Sequence, residues 1–548
     1  MGPLECSRAF LARLQHAQSL FLAKVSRMQL SVLDRFNGLF HRRLAAGIEE
    51  DIGIFPAVVV VLVIGVANFL ISIGEPPHPV WDESYYLTAI ARYEHGTAQF
   101  ASHPPLGLML LTAGDLLLHP NRGLDTTKVA ADKQVPDKKL PKGYSFYGVR
   151  FMSGVFAILG GLAFFALMLT ITGSAPRALF FSIFYLLENS FIAHFRAAQL
   201  DAFQVCFVIV SLWCLALALK RGPQRIPWAE LGFGAAVGMA SMVKLNAVVL
   251  APMGAMLLAW RLWQGWGVAP RGRLLLGAAR DGLLMTAACL IVVAGCFTAH
   301  VVAGRNPPDV TTTGGKKDAG FISPIYWAYL HHQRPLSPTV VAVASWDYWR
   351  FMEADLKGMP RTDPNGSPPL MWPLHYRAIN YRWDSDGTVT RYVQLAGNVV
   401  SWWLALVALV AAPVLLIAAW RERLEPHAWR RPLMVILLVQ YLIYMGVHAY
   451  LGLMRVMYLY HYLVALVISF VLVPLVLQEA AARWPQVKQR QDTILAGMAV
   501  AIAASFVFYL PLSRHWPLTK QQCEWRNMVQ PIVQCQPVEA KAKAKASH

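Results

Sequence analysis

Two adjacent acids, Asp82 and Glu83, stand in the stretch Trp81-Asp82-Glu83-Ser84-Tyr85-Tyr86, a few residues past an apolar run at 54–73. A carboxylate just beyond the end of a membrane helix meets water, lipid headgroups and a reacting group together, so Asp82 is the first candidate for a general base. Asp is also a favoured helix N-cap, and that role for Asp82 stands beside the catalytic one. Glu83 projects about 100° away if both residues are helical, so one carboxylate rather than both should face a substrate. Further on, His103-Pro104-Pro105 must be extended or turning, because each proline fixes φ and removes a donor. The apolar run 106–118 that follows is short for a span and reads as an interfacial or re-entrant helix. On its own, His103 reads as a surface histidine.

Four more polar clusters interrupt apolar sequence: Arg150 in Tyr147-Gly148-Val149-Arg150-Phe151; Arg196 and Asp201 in Phe195-Arg196-Ala197-Ala198-Gln199-Leu200-Asp201; Lys244-Leu245-Asn246; and Arg455 with Tyr458, Tyr460, His461 and Tyr462. A charge near lipid costs several kcal/mol unless it is paired or hydrated, which makes such residues functional candidates. Singly, each also fits snorkelling or a structural ion pair, and Arg196 with Asp201 could satisfy each other. The segment 304–394 is rich in Trp, Tyr, Pro and Arg and contains Ser367-Pro368-Pro369-Leu370-Met371-Trp372-Pro373-Leu374, with Gly397-Asn398 and Trp402-Trp403 just after it. Aromatics at this level fit an interfacial belt or a surface that stacks on a sugar ring. No CxxC or HxxH spacing occurs, so no metal site is expected.

These residues must be positioned by helices that cross a bilayer. Of 548 residues, 56% are hydrophobic and 15% charged, with mean hydropathy +0.42. That excludes an ordinary soluble domain or a disordered chain. The pattern predicts an all-α polytopic membrane protein with eleven spans, at about 54–73, 146–172, 177–195, 199–219, 229–243, 246–264, 281–303, 395–419, 432–451, 456–478 and 493–512. With a cytoplasmic N-terminus, every alternate connection is basic: Arg177; Lys220, Arg221 and Arg225; Arg261, Arg271, Arg273 and Arg280; Arg421, Arg423, Arg430 and Arg431; Arg483, Lys488 and Arg490. Segments 74–145, 304–394 and 513–548 then lie outside, and so do all the polar candidates. Residues 1–53 read as a cytoplasmic amphipathic segment on the membrane surface. The net charge of +18 points to anionic headgroups rather than nucleic acid. Cys523 and Cys535 could pair if that end is in an oxidising compartment. A basic external cavity floored by apolar helices suits a ligand with an anionic head and a hydrocarbon tail, such as a polyprenyl-phosphate sugar.

The ordered set Asp82-Glu83, His103-Pro104-Pro105-Leu106-Gly107, Arg150-Phe151, Arg196 to Asp201, the Gly-rich stretch ending at Lys244, Trp372-Pro373-Leu374, Gly397-Asn398, Trp402-Trp403 and Tyr460-His461-Tyr462-Leu463 resembles the protein O-mannosyltransferase family, membrane glycosyltransferases of GT-C architecture. The resemblance spans 54–512 and implies eleven spans, a catalytic module over 54–303, a C-terminal four-helix part over 395–512, and a bacterial inner-membrane form with an external active site. It implies Asp82, with Glu83, as the catalytic acids and His103, Arg150, Arg196, Asp201, Lys244, Arg455, Tyr460 and His461 around the donor phosphate and sugar. Trp372 and Asn398 belong to the acceptor side or the loop. The donor would be a lipid-linked sugar with no other cofactor required, and the acceptor a secreted polypeptide's Ser or Thr. Three features depart from the family pattern: no β-trefoil module in 304–394, Leu108 where a Lys is usual, and Gly366-Ser367-Pro368-Pro369 where His-Pro-Tyr-x-Ser is usual. The last favours a second reading, transfer to lipid A or another glycan; a transporter, with Glu188 and Asn189 at mid-membrane, is a third.

Overall fold

The computed structural model describes residues 53–421, 429–528 and 531–536. The predicted amphipathic segment before residue 53 and the Lys/Ala tail lie outside them.

Every predicted span falls on helical residues, although 177–195 is broken into two helices. Among the described residues eight helices are long and apolar enough to cross a membrane: Tyr147–Thr172, Asp201–Arg221, Leu245–Gly265, Arg271–Ala303, Val399–Arg421, Arg430–Gly452, Leu459–Arg483 and Gln491–Ser513. A ninth arises if Ala175–Leu186 and Asn189–Phe195, bent by 60° at their junction, form one span. The expected count of eleven needs two more, Ile54–Phe69 and Trp228–Val243, of 16 residues each. At 1.5 Å per residue these are about 24 Å long, short of a ~30 Å hydrocarbon core, so the count is not established by length. Pro105–Leu118 is a 14-residue helix, as its length predicted.

Close helix packing follows from small residues. A Cβ on Gly234 would lie 2.0 Å from the Met285 carbonyl oxygen, and one on Gly238 would lie 3.0 Å from that of Cys289. These glycines, four residues apart, let Trp228–Val243 lie directly on Arg271–Ala303. At the basic-loop end, Arg261 binds Glu230 at 2.5 Å and Asp281 at 2.8 Å, and Arg431 binds Glu479 at 2.7 Å.

The segment 304–394 folds rather than loops. Helices Thr313–Ala319, Pro324–Leu330 and Pro338–Lys357 build a core of their own with Phe100, Val301, Tyr326, Tyr348 and Phe351. The buried Asp318 ties it to the first external segment, accepting from Arg92 at 2.8 Å and Lys133 at 2.5 Å. The all-α expectation misses one small antiparallel sheet in the order β1 (Ile379–Ser385), β2 (Thr390–Leu395), β3 (Pro517–Leu518). Asn380 faces Gln394 and Arg382 faces Val393, leaving Tyr381 as the extra residue of a bulge. Cys523 and Cys535, with Cα atoms 5.9 Å apart, form the disulfide that closes the segment behind β3.

Candidate active site

Asp82 occupies the N-cap position of helix Glu83–Glu94, but its side chain makes no cap hydrogen bond. Trp81 before it has φ 54°, a left-handed conformation unusual for a bulky residue. The Trp81 ring is held 5.1 Å from Tyr381 and 5.7 Å from Tyr458, which keeps this backbone in place. Among the described residues no hydrogen bond ends on the Asp82 carboxylate. Burial pushes its pKa up to about 6, while the Lys244 charge lowers it and the Asp201 charge raises it.

Glu83 has a different job. Fully buried, it accepts from Arg150 Nε and Nη2 at 2.8 Å each, from Val80 N at 2.7 Å and from Ala198 N at 2.5 Å. Arg150 spends its remaining donors on the carbonyls of Gly74, Pro76 and His78 at 3.0, 2.8 and 2.8 Å. The pair therefore pins the loop after the first helix to the start of Tyr147–Thr172, and Arg150 has nothing left for a substrate phosphate. Arg196 likewise donates to the carbonyls of Asn68, Ile71 and Ser72 and does not pair with Asp201.

Asp201 begins helix Asp201–Arg221, and one of its oxygens, Oδ2, accepts from Lys244 Nζ at 2.6 Å and His194 Nε2 at 2.7 Å. With a neutral imidazole whose Nε2 donates there, Nδ1 accepts the proton of Tyr381 OH, 2.7 Å away. The bulge in β1 is what aims Tyr381 inward. Lys244 stands where Trp228–Val243 ends, at φ −143°, with Nζ 5.0 Å from the centre of the Tyr460 ring. Tyr460 stacks on His194 at 5.5 Å and on His461 at 4.5 Å. Behind them, Gln204 donates to Asn246 (2.7 Å), Asn246 to Tyr444 OH (3.0 Å), and Tyr444 to the His461 carbonyl (2.8 Å).

His103 packs 6.3 Å from Tyr86. Burial foremost, then the Lys244 charge, depress its pKa to about 3, so it is neutral and offers a hydrogen bond rather than a charge. Asp201, Arg455 and Asp355 also act on it electrostatically. Arg455 touches Met359 Sδ at 3.6 Å, and among the described residues no carboxylate lies within ion-pair distance of it. Burial lowers its pKa, while Tyr460 and Tyr458 oppose that shift.

Of the residues singled out by sequence, Asp82, His103, Asp201, Lys244, Arg455, Tyr460 and His461 thus share one neighbourhood. Glu83, Arg150 and Arg196 stand beside it in structural roles. Asn398 is fully buried. Its N–H donates to Glu188 at 2.9 Å, and its side chain to the carbonyls of Leu187 and Ile502 at 3.0 and 2.9 Å, which stitches the bent helix pair. Gly397 before it is required by space, since a Cβ would lie 2.2 Å from Trp402 Nε1. Trp372, also fully buried, donates to Ser367 at 2.9 Å and stacks on His461 at 6.2 Å, so it supports the site from behind rather than offering a face to a sugar. Sequence reasoning passed over His194 and Tyr381. A turn separates His194 from Asp201, which hides the pairing from helical spacing, and no local signal marks the bulge at Tyr381. Among the described residues no group of three or more His, Cys, Asp or Glu could hold a metal ion.

Two family descriptions match this chain: dolichyl-phosphate-mannose-protein mannosyltransferase over residues 59–303, and the C-terminal four-transmembrane region of protein O-mannosyltransferase over 346–531. Protein O-mannosyltransferase 1 of Drosophila melanogaster is 26% identical over 35% of this chain and 21% of its own length. Protein O-mannosyl-transferase 2 of Danio rerio is 26% identical over 37% of this chain and 27% of its own length. The matches therefore span about a quarter of these relatives. In fold, the chain is similar to a chain of the Saccharomyces cerevisiae Pmt1-Pmt2 complex bound to the sugar donor, with a TM-score of 0.71 at 14% identity, covering 92% of this chain and 97% of that one. With both regions of one family matched in order over most of its length, on a shared GT-C fold, this multi-pass membrane protein belongs to the protein O-mannosyltransferase family.

Proposed function

We propose that the protein is an inverting glycosyltransferase that moves mannose from a polyprenyl-phosphate donor to a Ser or Thr hydroxyl of a polypeptide, with Asp82 as general base. The observation that carries this reading is the Asp82 carboxylate, which among the described residues accepts no hydrogen bond and feels the Lys244 charge, whereas the described buried acids are all hydrogen-bonded or ion-paired. A serine hydroxyl is too weak an acid to ionise at neutral pH. As its oxygen attacks the anomeric carbon, the proton passes to Asp82. The bond from that carbon to the phosphate oxygen breaks, and the polyprenyl phosphate leaves with the electron pair and an added negative charge. Lys244 and Arg455 supply cations for that charge, and His103, Tyr460 and His461 line the same space. The family match supports the donor class, and the neighbouring cations support a phosphate.

The reaction belongs on the outer face of a bacterial inner membrane, with the N-terminus in the cytoplasm. The alternating basic connections support this placement. So does the disulfide, because β3, which it secures, pairs with β2, and β1 carries Tyr381 into the site; a lasting disulfide needs an oxidising compartment. The test is to incubate membranes with polyprenyl-phosphate mannose labelled in the sugar. Label should enter protein with the wild-type chain and not with Asp82→Asn. Label in lipid or glycan alone would overturn the polypeptide acceptor, and full transfer by Asp82→Asn would remove Asp82 as base.

A further inference from the structure

Arg196 and Arg514 approach the same backbone oxygen. Arg196 Nη1 donates to the Ile71 carbonyl at 2.8 Å and Arg514 Nη1 to the same atom at 3.3 Å. Arg514 also reaches the Ala67 carbonyl at 2.5 Å and Asn68 Oδ1 at 3.4 Å. Two guanidinium groups thus converge on the outer end of the Ile54–Phe69 helix. Carbonyl dipoles at a helix C-terminus attract cations but do not neutralise two of them. Among the described residues neither arginine has a carboxylate within ion-pair distance. Arg196 is 7% exposed, and burial with the Arg514 and Arg150 charges presses its pKa down from the usual arginine range. Among the described residues Arg514 Nε is buried with no hydrogen-bond partner.

Both arginines line a cleft with Glu75, Pro76, Arg150, Ser513 and His515. Glu83 neutralises Arg150, and Asp384 holds His515 at 2.9 Å. Glu75 is exposed and makes no ion pair among the described residues. Two guanidinium charges therefore face one solvent-exposed carboxylate, and the cleft keeps a net positive charge. The cleft lies at the ends of two membrane helices, with exposed Ile71 (55%) and Trp516 (49%) beside it, side chains suited to the headgroup level. It shares no residue with the Asp82, Lys244 and Arg455 neighbourhood.

We infer that the Arg196–Arg514 cleft is a second anion site that holds a phosphate group, as carried by an anionic phospholipid headgroup. Guanidinium groups bind phosphate through paired N–H donors, and Arg514 Nε with the unspent donors of Arg196 supplies them. The inference does not rest on the transferase reading.

The full-length protein, purified and stripped of lipid, is scored by thermal midpoint and by native mass spectrometry. Micelles doped with phosphatidylglycerol should raise the midpoint above that in phosphatidylcholine, and one phosphatidylglycerol should stay bound where phosphatidylcholine does not. Arg196→Gln with Arg514→Gln should abolish this retention. Because those side chains also bind the helix end, Glu75→Gln provides an independent reading: removing the one carboxylate lining the cleft should tighten phosphatidylglycerol about two- to fivefold, the size of an exposed charge contact. An equal midpoint rise with inorganic phosphate over chloride at matched ionic strength supports the site and assigns it to free phosphate. If neither phosphatidylglycerol nor inorganic phosphate shifts the midpoint beyond its control, or Glu75→Gln leaves retention unchanged, the inference fails.

Discussion

Asp82→Asn should gain stability while it loses activity, and the two effects separate by pH. In the unfolded chain the carboxyl titrates near 3.8, and in the folded protein near 6. The folded state therefore binds the proton more tightly. Below pH 3.8 both states are protonated and Asp82 makes no difference; as pH rises through 6 the folded protein must hold a carboxylate that its surroundings disfavour. At 1.36 kcal/mol per pKa unit the penalty above pH 6 has a ceiling of about 3 kcal/mol, and solvent reaching this half-buried group brings it nearer to about 1–2 kcal/mol. Asparagine cannot ionise and escapes it. The thermal midpoint of Asp82→Asn, compared with wild type in the same detergent, should rise at pH 7.5 and coincide near pH 4. Transfer of labelled mannose to protein should fall roughly a hundred- to ten-thousandfold, the usual contribution of a general base. A stabilised but fully active variant would refute the base assignment. An inactive variant with no pH-dependent gain would refute the account of burial.

Lys244→Gln removes the charge that lowers the Asp82 pKa, so the acidic limb of kcat/KM should move to higher pH and the plateau should drop; an unmoved limb would separate Lys244 from Asp82. His194→Ala should reduce kcat through a misplaced Lys244, and His194→Gln, which can still donate to Asp201, should recover part of it; equal loss in both would argue for packing alone. Arg150→Met leaves Glu83 buried without its cation and should cost about 3–5 kcal/mol, read as loss of folded protein in detergent extracts; normal yield would contradict the structural role given to this pair. Reducing Cys523–Cys535, or replacing both with Ser, should lower the thermal midpoint by an amount worth about 2–3 kcal/mol for so short a loop, with transfer retained at low temperature; an unchanged midpoint would mean that the sheet edge holds without it.

The positions of the membrane helices were legible in the sequence because lipid admits little choice: apolar runs must become helices, and basic residues must collect in alternate connections. Asp82, Lys244 and Arg455 were legible for the same reason, since a charge at the end of an apolar run needs a cause. What those charges pair with was not legible. Glu83 and Asp82 are adjacent and chemically alike, yet one is locked by Arg150 and two backbone N–H groups and the other is free. That difference depends on which loop carbonyls and turns meet at the start of the Tyr147–Thr172 helix. The same holds for Arg196, which carbonyl oxygens rather than Asp201 satisfy, and for Trp372 and Asn398, whose burial turns apparent binding residues into supports. His194 and Tyr381 reach Asp201 across a turn and a β-bulge, from parts of the chain nearly two hundred residues apart. Composition and periodicity are local along the chain, so they state what each residue must avoid. Hydrogen-bond partners are chosen among groups that meet only when the helices pack, so tertiary structure alone decided which acid remained free for chemistry.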